Sequence, residues 1–291
     1  MKQTDFRISV IVISFNGIEF IDNCLSTTIM SLANTSSEVI VIDNASSDGT
    51  VELIKNKYSQ VRLLENKGNL GFARAVNQGF ELAAGKYILI LNQDTRIIGN
   101  AIPALADRLE REQTVGTIGP EFIGFDGRLQ KSARAFPRYR DLLFEFTGLS
   151  YLFSGSRVFA NWKMGWFDHL AEREVDQPMG AALMIRRELL EKIGGLDESF
   201  GIFFNDVDFC RRVREAGYVN LYYPEAVVAH FVGGSTRKRR AKMIIESHRS
   251  MLRYFAKYAR SPGSRVPLYF WGGVLYAAAA VRAVFSLILR K

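Results

Sequence analysis

Four apolar runs organise the first hundred residues, at 8–14, 38–43, 61–65 and 87–91, and polar side chains follow each of them. The run at 87–91 has no polar alternation, as expected of a strand covered on both faces in a parallel sheet. Between the runs lie helix-period segments at 18–32 and 51–58, and a third that opens over 69–77 and ends at Gly85. The polar turn 44–50 is rich in helix-capping side chains, which marks the start of the second helix. Strands alternating with helices predict an α/β fold with a doubly wound, mostly parallel sheet and helices on both faces. No internal repeat or low-complexity tract interrupts the pattern.

The strand ends carry the candidate chemistry. Ser14 and Asn16 follow the first run, Asp43 closes the second, Asn69 and Arg74 open the helix after the third, and Asn92, Gln93 and Asp94 follow the fourth. Open α/β sheets bind ligands outside the carboxyl ends of their strands, so these groups suit a base, a ribose and a metal-bound diphosphate. Taken singly, Asp94 with Thr95 is equally a strand terminator or helix cap, Asp48 a turn residue, and Arg74 a solvated helix charge. No Gly-x-Gly-x-x-Gly follows any strand and no Gly-x-x-x-x-Gly-Lys loop is present, which removes support for dinucleotide oxidoreductases and for phosphate-loop hydrolases.

Composition narrows the picture. A chain of 291 residues with 48% apolar composition buries a full core and is not disordered. Cys24 and Cys210 fall in predicted helices without a partner at metal-ligand spacing and read as ordinary buried thiols. The net charge of +8 is unevenly placed: residues 237–291 hold thirteen Lys or Arg against one acid, Glu246, while the remainder holds twenty-five basic and twenty-nine acidic residues. Basicity belongs to the tail, beside an apolar segment, which points to an anionic membrane surface and not to nucleic acid. The apolar run 8–13 is too short for a signal-peptide core, so the catalytic part is expected on the cytoplasmic face of the membrane.

Seven motifs occur in fixed order: Val-Ile-Val-Ile-Ser-Phe-Asn-Gly at 10–17, Val-Ile-Asp-Asn-Ala-Ser-Ser-Asp-Gly-Thr at 41–50, Asn-Leu-Gly-Phe-Ala-Arg-Ala-Val-Asn-Gln-Gly at 69–79, Leu-Asn-Gln-Asp-Thr at 91–95, Gly-Ala-Ala-Leu-Met-Ile-Arg-Arg at 180–187, Phe-Phe-Asn-Asp-Val-Asp-Phe-Cys-Arg-Arg at 203–212 and His-Phe-Val-Gly-Gly-Ser at 230–235. Jointly they resemble the inverting family 2 glycosyltransferases with the Rossmann-like GT-A fold, and within them the bacterial rhamnosyltransferase-like members. The resemblance implies sugar transfer from a nucleotide diphosphate to an acceptor hydroxyl, with inversion and with a divalent cation, Mn²⁺ or Mg²⁺. It gives Asp94 and His230 as metal ligands, Asp206 as catalytic base, and Ser14, Asn16, Asp43, Asn69, Arg74 and Asn92 as contacts to the nucleotide sugar. Where the family carries Asp-x-Asp, this chain has Asn92 before Asp94, one carboxylate fewer for the cation. On residue type alone His230 also fits a hydrogen-bonded strand end, and Asp206 with Asp208 also fits first-turn helix acids. A helix N-terminus lowers a carboxyl pKa whereas an apolar setting raises it, so Asp206 is drawn both ways.

The expected donor is dTDP-L-rhamnose, with a UDP-sugar such as UDP-galactofuranose as the alternative, and the expected acceptor a lipid-linked saccharide of cell-surface polysaccharide synthesis. A non-catalytic membrane scaffold is the rival from another class, and a nucleotidyltransferase the rival among enzymes. Ten aromatic residues from Phe136 to Phe167 suggest the acceptor side, with Trp162, Trp166, Gly180 and Ala181 as candidate contacts. Arg237, Arg239 and Arg240 offer contacts to diphosphate or lipid. The expected organisation is a catalytic domain over 1–236, divided into nucleotide-binding (1–98) and acceptor-binding (99–236) halves, a basic helical region over 237–264, and an amphipathic or membrane helix over 265–291. Residues 268–289 carry one charge, Arg282, and a polar stripe through Tyr269, Tyr276 and Ser286 favours a helix lying in the membrane surface.

Overall fold

The computed structural model describes residues 6–231, 240–259 and 271–274; side chains of 240–242 lie outside the description. In chain order the elements are β1 (Phe6–Ser14), α1 (Ile21–Ser31), β2 (Ser37–Asp43), α2 (Thr50–Lys57), β3 (Arg62–Glu65), α3 (Phe72–Leu82), β4 (Gly85–Asn92), β5 (Thr95–Ile98), α4 (Ala101–Arg111), β6 (Val115–Ile123), β7 (Leu129–Gln130), α5 (Tyr139–Phe146), α6 (Leu149–Leu152), β8 (Arg173–Val175), β9 (Ala182–Arg186), α7 (Arg187–Ile193), α8 (Asn205–Glu215), β10 (Val219–His230) and α9 (Arg240–Tyr258).

One sheet runs in the order β3-β2-β1-β4-β9-β6-β10-β5, with β7 on β6 and β8 on β10. The first four strands are parallel, as the sequence predicts. The second half is mixed: β10 runs parallel to β6, β9 is antiparallel to β4 and to β6, and β5 is antiparallel to β10. Alternate residues of each central strand feed opposite layers. Val10, Val12, Val41, Leu89 and Leu91 pack against α1 and α4, while Ile11, Ile13, Ile42, Ile88 and Ile90 pack against α3, α7 and α8. This two-sided burial is why the runs are uniformly apolar, and truncating one such residue, Leu89→Ala, costs roughly 2–5 kcal/mol.

Register places the site. Ile13 of β1 lies opposite both Ile42 of β2 and Asn92 of β4, so Ser14, Asp43 and Gln93 leave the sheet at one edge. Among the described residues five non-glycine residues have positive φ, and three of them, Asn16, Ala45 and Phe204, sit in segments bordering this edge. Such backbone persists where surrounding contacts over-determine it. A third apolar cluster, Leu142, Phe200, Phe204, Val207, Met251, Tyr254 and Phe255, joins α5, α8 and α9. Cys24 and Cys210 are buried and free. Among the described residues no helix is long and apolar enough to cross a membrane; the segment 268–289 lies outside them except for 271–274.

Candidate active site

The nucleotide edge is built by side chains that tie one loop to the next. Gln93 accepts from the Ser14 hydroxyl and the Phe15 N–H, both at 2.9 Å, and donates to the Phe15 carbonyl at 3.0 Å. A side chain at Gly17 would run into the Gln93 amide, so glycine is required there by space. Asn16 accepts from the Ser47 N–H at 2.8 Å and thereby joins the β1 loop to the β2 loop. The Asp43 carboxylate is buried and accepts from both the Ser46 N–H and hydroxyl. Asp48 accepts from Ile18 and Thr50, the role of a turn residue. Asn44, Asn66 and Gln78 form a side-chain network between the end of β2 and α3. Asn69 accepts from the Gly71 N–H at the start of α3, and Arg74 is exposed on its first turn.

Asp94 and His230 are brought together by the β5–β10 pairing, in which His230 faces Thr95 and the Phe231 N–H donates to the Asp94 carbonyl at 2.9 Å. His230 Nε2 lies 3.6 Å from Asp94 Oδ1, and both side chains are largely buried. The other ring nitrogen, Nδ1, is buried with no hydrogen-bond partner, a state that costs roughly 1–3 kcal/mol. A carboxylate oxygen beside an imidazole, with an unsatisfied polar atom next to it, is a donor set that fits a divalent cation. Among the described residues no third His, Cys, Asp or Glu joins them, so Asp94 and His230 are the two side chains that would hold a cation here. Burial pushes the neighbouring Cys24 thiol up to about 12.

Asp206 opens α8, whose cap Phe204 has φ 69°. Its Oδ2 accepts from Gln177 Nε2 at 2.6 Å and from the Gly180 N–H at 3.0 Å; its Oδ1 accepts from the Val207 N–H at 2.9 Å. Burial holds the carboxyl above the ordinary carboxylate range and outweighs those three donors, which settles the tension between helix end and apolar setting. Asp208 plays no part in that shift. It is fully buried and bound by Arg212, Lys257 and the Tyr258 hydroxyl at 3.0, 2.6 and 2.9 Å, fastening α9 to α8. The segment after β8 connects Asp206 to the nucleotide edge: Gly180 donates to Asp206 while the Ala181 carbonyl accepts the Asn92 N–H at 2.9 Å.

Asp206 opens onto a cleft of about 400 Å³ whose walls include Arg134, Trp162, Gln177, Met179, Phe203 and His248. Lys163 and Glu145 form an ion pair on its rim. Trp166 does not line this cleft; it packs beside Phe167 with the Arg157 and Arg173 guanidinium groups 4.7 and 5.2 Å from its ring. Ala181 belongs to the buried core. Arg237 and Arg239, and the side chain of Arg240, lie outside the described residues. The sequence places Gln93 at the strand end but gives it no role, because an uncharged side chain between Asn92 and Asp94 has no catalytic signature; its binding of the β1 loop is seen only in the fold.

A GT-A sheet with polar groups at its carboxyl edge, an Asp–His pair and a buried carboxylate beside a cleft define a nucleotide-sugar-dependent glycosyltransferase. Comparison with known proteins agrees. Residues 9–194 match the profile of Glycosyl transferase family 2, and the chain belongs to that family. It is 30% identical over 233 residues to the N-acetylglucosaminyl-diphospho-decaprenol L-rhamnosyltransferase of Mycobacterium tuberculosis, covering 75% of this chain and 74% of that one. A low-salt glycan biosynthesis hexosyltransferase of Haloferax volcanii is 25% identical over 211 residues, 71% of this chain and 61% of that one. In fold it is similar to a mannosyltransferase of Pyrobaculum calidifontis solved with GDP-mannose and Mn²⁺, with TM-score 0.59 and 21% identity over 98% of this chain and 74% of the other. TarS of S. aureus, solved with UDP, gives TM-score 0.54 and 15% identity over 84% and 65% of the two chains.

Proposed function

We propose that the protein transfers L-rhamnose from dTDP-L-rhamnose, with inversion, to a saccharide carried on a lipid diphosphate in cell-surface polysaccharide synthesis, working at the cytoplasmic face of the membrane. The observation that carries this reading is the convergence at one sheet edge of Asp94 with His230 and, two residues' backbone away through Gly180 and Ala181, of Asp206. The mycobacterial relative, named for rhamnosyl transfer to a lipid diphosphate, supplies the sugar and the acceptor class.

In this mechanism Ser14, Asn16 and Asp43 frame the nucleoside, and Asn69, Arg74 and Asn92 border the diphosphate and sugar. The acceptor hydroxyl enters the cleft beside Asp206. As its oxygen attacks the anomeric carbon, the Asp206 carboxylate takes the hydroxyl proton; the new glycosidic bond forms on the face opposite the breaking carbon–oxygen bond to phosphate, and the nucleoside diphosphate leaves with the bonding pair. A raised pKa suits this base, since it strengthens its affinity for the proton it takes. Asp94 and His230 would hold a divalent cation, which supplies neutralisation of the charge that develops on the diphosphate.

Calorimetric titration of dTDP-rhamnose with and without Mn²⁺, in the wild type and in Asp94→Ala, tests the donor and cation together. Metal-dependent binding that the substitution abolishes is expected. Preference for a UDP-sugar over dTDP-rhamnose overturns the rhamnose assignment, and an axial-to-equatorial comparison of donor and product by NMR that shows retention overturns the inverting mechanism.

A further inference from the structure

The aromatic stretch holds apolar side chains that neither the cleft nor the core uses. At the corner following α5, Tyr151 is 89% exposed, Leu152 72% and Phe153 46%, with Val158 at 53% in the next turn. The corner rests on a firm base, in which Phe159 packs against Phe144 and Phe153 with ring centroids 4.9 and 5.1 Å apart. Gly148, at φ 77°, reverses the chain ahead of the four-residue α6, so three successive apolar residues project from a short element. Contiguous exposed apolar side chains of this size mark an interaction surface.

The charge of the same stretch of chain selects the partner. Residues 131–163 carry six Lys or Arg and two acids. Both acids are engaged: Glu145 pairs with Lys163, and Asp141 is buried, accepting the Arg138 N–H at 2.9 Å. Lys131, Arg138, Arg140 and Arg157 are exposed. A second copy docking on this surface would bring like charges together, whereas an anionic lipid surface meets both the cations and the apolar tip. We propose that the α6 corner is a bilayer-insertion element, with Tyr151, Leu152 and Phe153 entering the headgroup boundary of an anionic membrane and the exposed arginines and lysine contacting lipid phosphates.

The element is coupled to the cleft. Leu142 and Phe146 of α5 line the cleft, and the same helix leads directly into the corner. Tyr139, the first residue of α5, stacks on Trp271 at 6.5 Å, so this helix also touches the start of the C-terminal apolar segment. Insertion therefore seats the cleft mouth at the surface from which a lipid-linked acceptor arrives. That consequence rests on the acceptor reading above; the insertion itself does not.

The full chain carrying Leu152→Cys, labelled with an environment-sensitive fluorophore, tests the insertion. Cys24 and Cys210 are buried, so labelling is selective, and Met30→Cys, on the 75% exposed Met30 of α1, gives a control position. The expected result is a blue shift at position 152 on adding phosphatidylglycerol-containing vesicles, absent at position 30 and absent with phosphatidylcholine alone. Leu152→Asp with Phe153→Asp should weaken vesicle binding at least about tenfold, the loss of one to two buried apolar side chains. Vesicle binding with no shift at 152 overturns the proposal by assigning attachment elsewhere. A probe already shifted before vesicles are added also overturns it, since the corner is then covered by protein. Donor-binding data leave both outcomes untouched, so failure of the rhamnosyl reading is seen separately.

Discussion

Replacing Asp206 by Asn separates what the carboxylate does for catalysis from what it does to stability. The amide has one oxygen, which kept toward Gln177 and Gly180 retains both of those donors, while the Val207 N–H loses its acceptor on the other side. Loss of a general base costs about 10²–10⁴ in rate, or about 3–5 kcal/mol of barrier. Stability should move the other way. A carboxyl raised by burial favours the folded state while it is protonated; that contribution is complete below the unfolded pKa and is lost as pH rises through the folded value. At neutral pH desolvation of the carboxyl is a cost to the folded state that the amide removes. The expected result is a large fall in kcat with donor affinity unchanged, together with a Tm difference that moves in the variant's favour as pH rises from 4 to 8. Sugar transfer measured by nucleotide release, beside thermal unfolding over that range, reads both. A kcat loss smaller than tenfold refutes Asp206 as the base, and a Tm difference that does not move this way with pH refutes the burial penalty.

Other perturbations reach the same edge from different sides. A Cβ at Gly180 would lie 2.9 Å from that of Asp206, so Gly180→Ala should displace the base and cost about 1–3 kcal/mol of stability; transfer kinetics should show the loss in kcat more than in the donor KM. Gln93→Ala leaves the Ser14 hydroxyl and Phe15 N–H without their acceptor and should destabilise by roughly 1–3 kcal/mol, with weaker nucleotide binding by calorimetry. Burial pushes Asp197 up, yet hydrogen bonds from Lys257 and Ser199 overcome it and hold the carboxyl at about 2. This stabilisation is present above the unfolded carboxyl pKa of about 4 and is lost as pH falls from there toward about 2; unfolding curves over that range should be steeper in pH for the wild type than for Lys257→Met.

The first half of the fold was legible because its determinants are local. Apolar runs buried on both faces, capping residues after Asp43 and a helix-period segment after Asn69 each announce their element without reference to distant chain. The second half was less so. Thr95 to Ile98 leaves the end of β4 and crosses to the far edge of the sheet, where its partner is β10, and nothing in four residues encodes that destination. Asp208 reads as a helix acid beside the base, but its role depends on Lys257 and Tyr258, half a hundred positions away. The raised pKa of Asp206 likewise arises from tertiary burial, which outweighs the lowering by its Gly180 and Gln177 donors, and no local pattern records that burial. The aromatic stretch shows no clean periodicity because α9 and the 200–207 segment, not a regular neighbour, receive its side chains.

The pairing of β5 with β10 also sets an order of assembly. During synthesis Asp94 emerges long before His230, and β5 has no ladder partner until β10 is complete. Folding a chain with such distant contacts is slow, and an unpaired strand edge in the interval invites wrong association. A nascent or truncated chain ending before residue 230 would already possess the parallel nucleotide half, yet would lack one member of the Asp–His pair. The last strand to join is thus the one that completes the Asp–His pair, so fragments released early are able to fold in part without the proposed cation site.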